Sequence, residues 1–167
     1  METSEVLELL RMYRHDLMND LQLIQGYASM GKYEVSNEKL NQFIHKLKNE
    51  RQLQSLDAPN FVLWLIKLKL FSREFNVTFD VQFSDEQIKQ FDIQMKEDGE
   101  RLVQLLKEQI GQSFQSIPLH IKIKYAEGWN INYDIENNLV QLNELQFNNF
   151  SQINKKQNHY EVVFIYK

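Results

Sequence analysis

Apolar and polar residues alternate along this chain with two different periods, and the change of period divides it. Over residues 5–30 the apolar positions Val6, Leu10, Tyr13, Leu17, Leu21, Ile24 and Ala28 recur at helical spacing and fall in one stripe. The stretch contains no proline. Thr3 or Ser4 offers a cap, acidic residues follow it, and Gly31 marks the end. After Gly31-Lys32 a second helix is expected from Tyr33 or Ser36 to Leu56, with Tyr33, Leu40, Phe43, Ile44 and Leu47 as its stripe. Two amphipathic helices bury only one seam, and an isolated pair is marginal in water. A second copy is therefore expected to complete a four-helix bundle about a twofold axis.

Asp57-Ala58-Pro59 interrupts the pattern and offers a cap followed by a first-turn proline. The third helix, about residues 60–75, is apolar nearly all round and belongs between other elements. Strict alternation over residues 77–83 predicts a half-buried strand. Ser84-Asp85-Glu86-Gln87 reads as a capping box opening a short helix, and Gly99 as a weak point before a longer one over about 100–114. The inner face of that longer helix would hold Leu102, Leu105, Leu106 and Ile110. Residues 119–125 and 129–135 alternate on either side of a Glu127-Gly128 turn and predict two strands. The Asn- and Gln-rich stretch 141–159 has no sustained period and reads as a loop, and 160–166 as an interior strand. The expected fold class is α+β: a helical hairpin, residues 1–56, then a small α/β domain, residues 57–167.

Composition narrows the function classes. Hydrophobic content of 43% and charged content of 25% are those of an ordinary globular chain. A net charge of −4 and a pI near 5.6 argue against an electrostatic hold on nucleic acid or an anionic membrane. No cysteine is present, which excludes disulfides, thiolate nucleophiles and cysteine zinc sites. The start, Met-Glu-Thr-Ser-Glu, lacks the basic and apolar regions of a signal peptide, and no apolar run approaches the ~18 residues of a membrane span. The expected location is the cytoplasm.

The candidate chemistry sits in the first helix. His15 lies roughly 160° from the centre of the apolar stripe, on a side shared by Arg11, Met18, Asn19 and Gln22. On composition and periodicity alone such a histidine is a surface residue. Its neighbours suit more. An imidazole ordinarily titrates near ~6.5, so close to neutral pH one ring nitrogen keeps a lone pair for attack on phosphorus. Asp16 is a candidate to hold the other ring nitrogen's proton, Asn19 to hydrogen-bond a phosphoryl oxygen or water, and Arg14 to offset phosphoryl charge. Each of these also reads as a solvated polar face or a local ion pair. His45, His120 and His159 show no metal-ligand spacing with His15 or with one another.

Together, Arg14-His15-Asp16-x-x-Asn19-x-Leu21-Gln22-x-Ile24-x-Gly26 resembles the phosphoacceptor box of the sporulation initiation phosphotransferase B family, and the related box of citrate-type sensor histidine kinases. The resemblance continues through Gly31-Lys32-Tyr33. Over the C-terminal half it is one of layout. It implies a cytoplasmic homodimer in which His15 accepts a phosphoryl group from a response-regulator aspartate and passes it to another regulator. Asp16 and Asn19 would support it, while Arg14, Arg11, Met18 and Gln22 would meet the receiver domain.

The kinases of that group bind ATP in their α/β domain. Aligned on Leu105, Leu106 and Ile110, their magnesium-binding asparagine falls at Glu108, and the Asp-x-Gly-x-Gly and Gly-x-Gly motifs are absent from a chain with five glycines. The resemblance thus implies a degenerate kinase-like domain, no cofactor of its own, and magnesium supplied by the partner regulator. Two other readings compete: a non-catalytic dimeric adaptor, and an ATP-dependent sensor kinase.

Overall fold

The computed structural model describes residues 2–82, 84–110, 116–136, 150–156 and 159–167. The chain divides into two compact units, Met1–Asn49 and Glu50–Lys167. Helices come first and a five-stranded sheet follows, which makes the fold α+β.

The first unit is an antiparallel pair: α1 (Thr3–Ser29) and the greater part of α2 (Tyr33–Gln54). α1 begins earlier than the Thr3 or Ser4 cap expected from sequence. Glu2 precedes the first turn, and its backbone N–H donates to Glu5 Oε2 at 3.2 Å, so a glutamate takes the capping position. Gly31 ends the helix as its position predicts. Its φ of +72° is a conformation that costs glycine nothing, and the N–H groups of Gly31 and Lys32 return to the carbonyls of Ala28 and Tyr27. Ser36 Oγ donates to the Ile24 carbonyl at 2.9 Å and ties the second helix back to the first.

The α1 stripe is only partly covered. No residue of α1 is buried, and Leu10 and Leu21 keep 58% and 43% of their surface. On α2, Tyr33 is 72% exposed, and Leu40 and Ile44 are exposed as well.

The second unit takes in the last turns of α2, because Leu53 there is buried in its core and Glu50 is ion-paired with Lys69. α3 (Pro59–Phe71) is shorter than the sequence suggests. Phe75, assigned to that helix by composition, instead opens β1 (Phe75–Val81), where its side chain starts an alternating buried row. The expected cap on α3 is also reassigned. Asp57 is exposed and reaches Lys89, whereas Asp92 accepts the N–H of Phe61 at 2.8 Å and that of Asn60 at 3.2 Å. A carboxylate from another helix thus satisfies the orphan donors of the first turn.

Ser84-Asp85-Glu86-Gln87 does not open a helix. Glu86 N–H donates to Ser84 Oγ, a local turn, and one 3-10 turn (Lys89–Phe91) leads into α4 (Asp92–Ile110). α4 runs straight through Gly99, where the sequence suggested a break. A side chain there has no room, since a Cβ would lie 2.4 Å from the Trp64 ring and 2.8 Å from the Tyr133 hydroxyl. The glycine is a contact point, not a weak point.

Strand β2 (Ile117–Tyr125) pairs with β1 in parallel, with α4 in the connection. β3 (Trp129–Glu136) and β5 (His159–Tyr166) continue the sheet antiparallel, and β4 (Phe150–Lys156) forms the far edge. β4 corrects the expected loop over 141–159, whose residues 141–149, 157 and 158 lie outside the described ones. Alternation was not visible there because β4 carries Asn, Gln and Lys, as an edge strand tolerates. β5 is interior as expected, but only one face is fully buried: Tyr160, Val162, Phe164 and Tyr166. These join Leu119, Ile121, Ile131, Tyr133 and Ile135 against Phe61, Leu65, Leu102 and Leu106 of the helices. Burial and the nearby Asp98 push the phenols of Tyr133 and Tyr166 far above their ordinary range, so neither ionises in the folded unit.

Candidate functional site on the first helix

The helical period decides which residues of the box reach solvent. His15 and Arg14 are exposed, as are Arg11, Met18, Asn19 and Gln22; Met18 keeps 46% of its surface. Asp16 is half-buried. Adjacent helical residues point about 100° apart, so His15 and Asp16 diverge, while residues four apart meet.

The structure brings together His15 and Asn19: Asn19 Nδ2 lies 3.3 Å from His15 Nδ1. With Nδ2 donating, the ring proton sits on Nε2. Rotating the amide so that its oxygen accepts moves the ring proton to Nδ1 and leaves the Nε2 lone pair available.

Asp16 reaches across the hairpin. Its Oδ2 accepts from Lys46 Nζ of α2 at 2.8 Å, and the same ammonium reaches Asp20 Oδ2 at 2.6 Å. Partial burial alone would lower the Lys46 pKa. The hydrogen bonds and charges of Asp16 and Asp20 outweigh that, and the ammonium is held above the ordinary lysine value.

Sequence reasoning missed Lys46 and Asp20. A signal was present: Asp16 and Lys46 lie equally far from Gly31 on its two sides, and a tight antiparallel turn sets such positions level with each other. It also passed over an echo on α2, where Asn49 Nδ2 lies 3.1 Å from His45 Nδ1 with the same four-residue spacing.

Glu108, at the aligned asparagine position, is exposed on α4 and accepts from Gln104 at 2.9 Å. A cavity of about 600 Å³ beside the β2–β3 turn is lined by the carboxylates of Asp85, Glu86 and Glu127 together with Lys167. Among the described residues no group of three His, Asp or Glu side chains is placed to hold a metal ion, and no helix is long and apolar enough to cross a membrane.

Comparison with known proteins bears on the part that carries this site. Residues 1–56 match the family described as sensor-kinase SpoOB-type, alpha-helical domain. Sporulation initiation phosphotransferase B of Bacillus subtilis (strain 168) is 40% identical over 58 residues, a match covering 35% of this chain and 30% of that relative. The likeness is confined to the N-terminal hairpin, which is similar to a SpoOB-type alpha-helical domain, and the match spans under a third of the length of that relative.

Proposed function

We propose that this protein is a phosphorelay phosphotransferase in which His15 takes a phosphoryl group from a response-regulator aspartate and passes it to another regulator. The observation that carries the reading is an exposed His15 with Asn19 on its Nδ1, inside a hairpin similar to a SpoOB-type helical domain. In the reactive form the Asn19 amide oxygen accepts a hydrogen bond from the Nδ1–H, and the Nε2 lone pair attacks phosphorus. The N–P bond forms as the acyl phosphate O–P bond breaks, and the donor aspartate leaves as its carboxylate. The return step is the reverse, onto a second aspartate. Alignment and charge govern in-line phosphoryl transfer, so the chain needs to supply only a nucleophile and its placement. Magnesium belongs to the receiver domain. Arg14 faces the transferred phosphoryl, and Arg11, Met18 and Gln22 meet the receiver surface.

The partly covered stripe bearing Leu10, Leu21, Leu40 and Ile44 supports pairing of two hairpins into a four-helix bundle. Light scattering at micromolar concentration checks this: a dimer mass is expected, with Leu10→Glu shifting it to the monomer.

The activity is tested by mixing the protein with a phosphorylated receiver domain as sole phosphoryl source. Acid-labile, alkali-stable label on the wild type, absent from His15→Ala, is expected. Equal behaviour of the two proteins overturns the reading and leaves an adaptor that binds without chemistry.

A further inference from the structure

We infer that Lys46 is a positioning residue for phosphoryl transfer at His15, an inference that rests on the phosphoacceptor reading of that histidine. Lys46 comes from the opposite helix, yet its ammonium closes on Asp16 at 2.8 Å and Asp20 at 2.6 Å, the carboxylates next in sequence to His15 and Asn19. Two consequences follow from that geometry. The first concerns charge. An incoming phosphoryl group is anionic, and a carboxylate next in sequence to the nucleophile opposes it. The Lys46 ammonium offsets one unit of the negative charge that Asp16 and Asp20 carry together; without it the turn that carries His15 is more negative by that unit. The second concerns placement. The two ion pairs clip α1 to α2 at the level of His15, and drawing Asp16 inward leaves Asn19 as the side chain on Nδ1. All three charged side chains are partly buried, so the attraction is less screened than at an open surface.

The test uses phosphoramidate, which phosphorylates imidazole without any protein donor. The Nε2–P bond forms as the P–NH2 bond breaks, and ammonia leaves after taking up a proton from solvent. Label on His15 is followed in the wild type, Lys46→Gln, Lys46→Arg and Lys46→Gln/Asp20→Asn, each checked for helical circular dichroism. Lys46→Gln is expected to react about tenfold more slowly at low ionic strength, with the deficit shrinking as salt screens the exposed carboxylates. Lys46→Arg restores the rate. Lys46→Gln/Asp20→Asn, which removes one negative charge and keeps hydrogen-bonding groups, recovers part of it; it also carries the comparison if the single variant loses helicity. A Gln variant as fast as wild type overturns the inference, as does a salt-independent deficit or an Arg variant as slow as Gln. Wild-type labelling by phosphoramidate but by no phosphorylated receiver would remove the proposed function while the Lys46 comparison still reads.

Discussion

Asn19 Nδ2 stands 3.3 Å from His15 Nδ1, one helical turn away, so the nitrogen that the sequence suggested for Asp16 is met by an amide. An amide presents either a donor or an acceptor by rotating, which a carboxylate does not. Asn19→Ala is expected to lower the rate of phosphoryl transfer to His15 about tenfold through lost ring alignment. It is also expected to reduce the Nδ1–H tautomer of His15, read from the ring nitrogen shifts. Asn19→Asp keeps the acceptor and retains that tautomer. An unchanged ring spectrum in the alanine variant would show that the contact does not set the tautomer.

The Lys46 ammonium carries a pH signature of the hairpin. Its folded pKa is raised above the ordinary value of 10.5, with Asp16 and Asp20 outweighing its burial. A raised cationic pKa gives stability that is complete below the unfolded value and lost as pH rises through the folded one. The helical melting temperature is therefore expected to hold steady up to pH 10 or so and to fall above it, a fall that Lys46→Gln removes in part. Melting curves that decline identically in both proteins would sink this assignment.

Gly99 sets two opposed effects against each other. Alanine in a helix interior gains up to about 1 kcal/mol over glycine, but here its Cβ would lie 2.4 and 2.5 Å from Trp64 ring atoms and 2.8 Å from the Tyr133 oxygen. Tyr133 is fully buried and Trp64 stacks on Phe61, so neither retreats freely. Overpacking of this kind costs about 1–3 kcal/mol. Gly99→Ala is expected to lower the urea midpoint despite the better helix former, and a raised midpoint would mean the ring moves aside.

Gly99 also shows where sequence reading stops. Periodicity located α1, α2 and the strands β1, β2, β3 and β5, because each sets its apolar side chains on one face at the spacing of its own backbone. It failed where the deciding partner is far along the chain. The space at Gly99 is filled by a tryptophan of α3, and α3 is capped by the first residue of α4 rather than by a neighbour. β4 was missed because an edge strand this polar shows no apolar alternation, and among its described residues Ile153 alone packs against the core. At the site, exposure of His15, Asn19, Arg11, Met18 and Gln22 was legible from the helical period. The partner of Asp16 was not, since it requires the register of two helices across a turn.

Asp92 gives the sharpest stability test in the second unit. Its side chain is buried, and its oxygens accept from Phe61 N–H at 2.8 Å, Asn60 N–H at 3.2 Å and Asn60 Nδ2 at 2.8 Å. Ala58, the residue before α3, contributes no side-chain cap of its own. Removing the carboxylate therefore leaves two first-turn donors without their acceptor, the Phe61 N–H buried and the Asn60 N–H part-buried, and an unsatisfied buried group costs about 1–3 kcal/mol. Asp92→Ala is expected to destabilise the unit by about 1–3 kcal/mol, a sizeable share of the stability of a small domain. Asp92→Asn retains one oxygen acceptor and loses less, because the amide NH2 faces donors it cannot bond. Urea unfolding followed by tryptophan fluorescence separates the cases, since Trp64 lies on α3 itself and Trp129 on β3. The expected order of midpoints is wild type, then Asn, then Ala; a wild-type midpoint for Ala would show that α3 holds its first turn without Asp92.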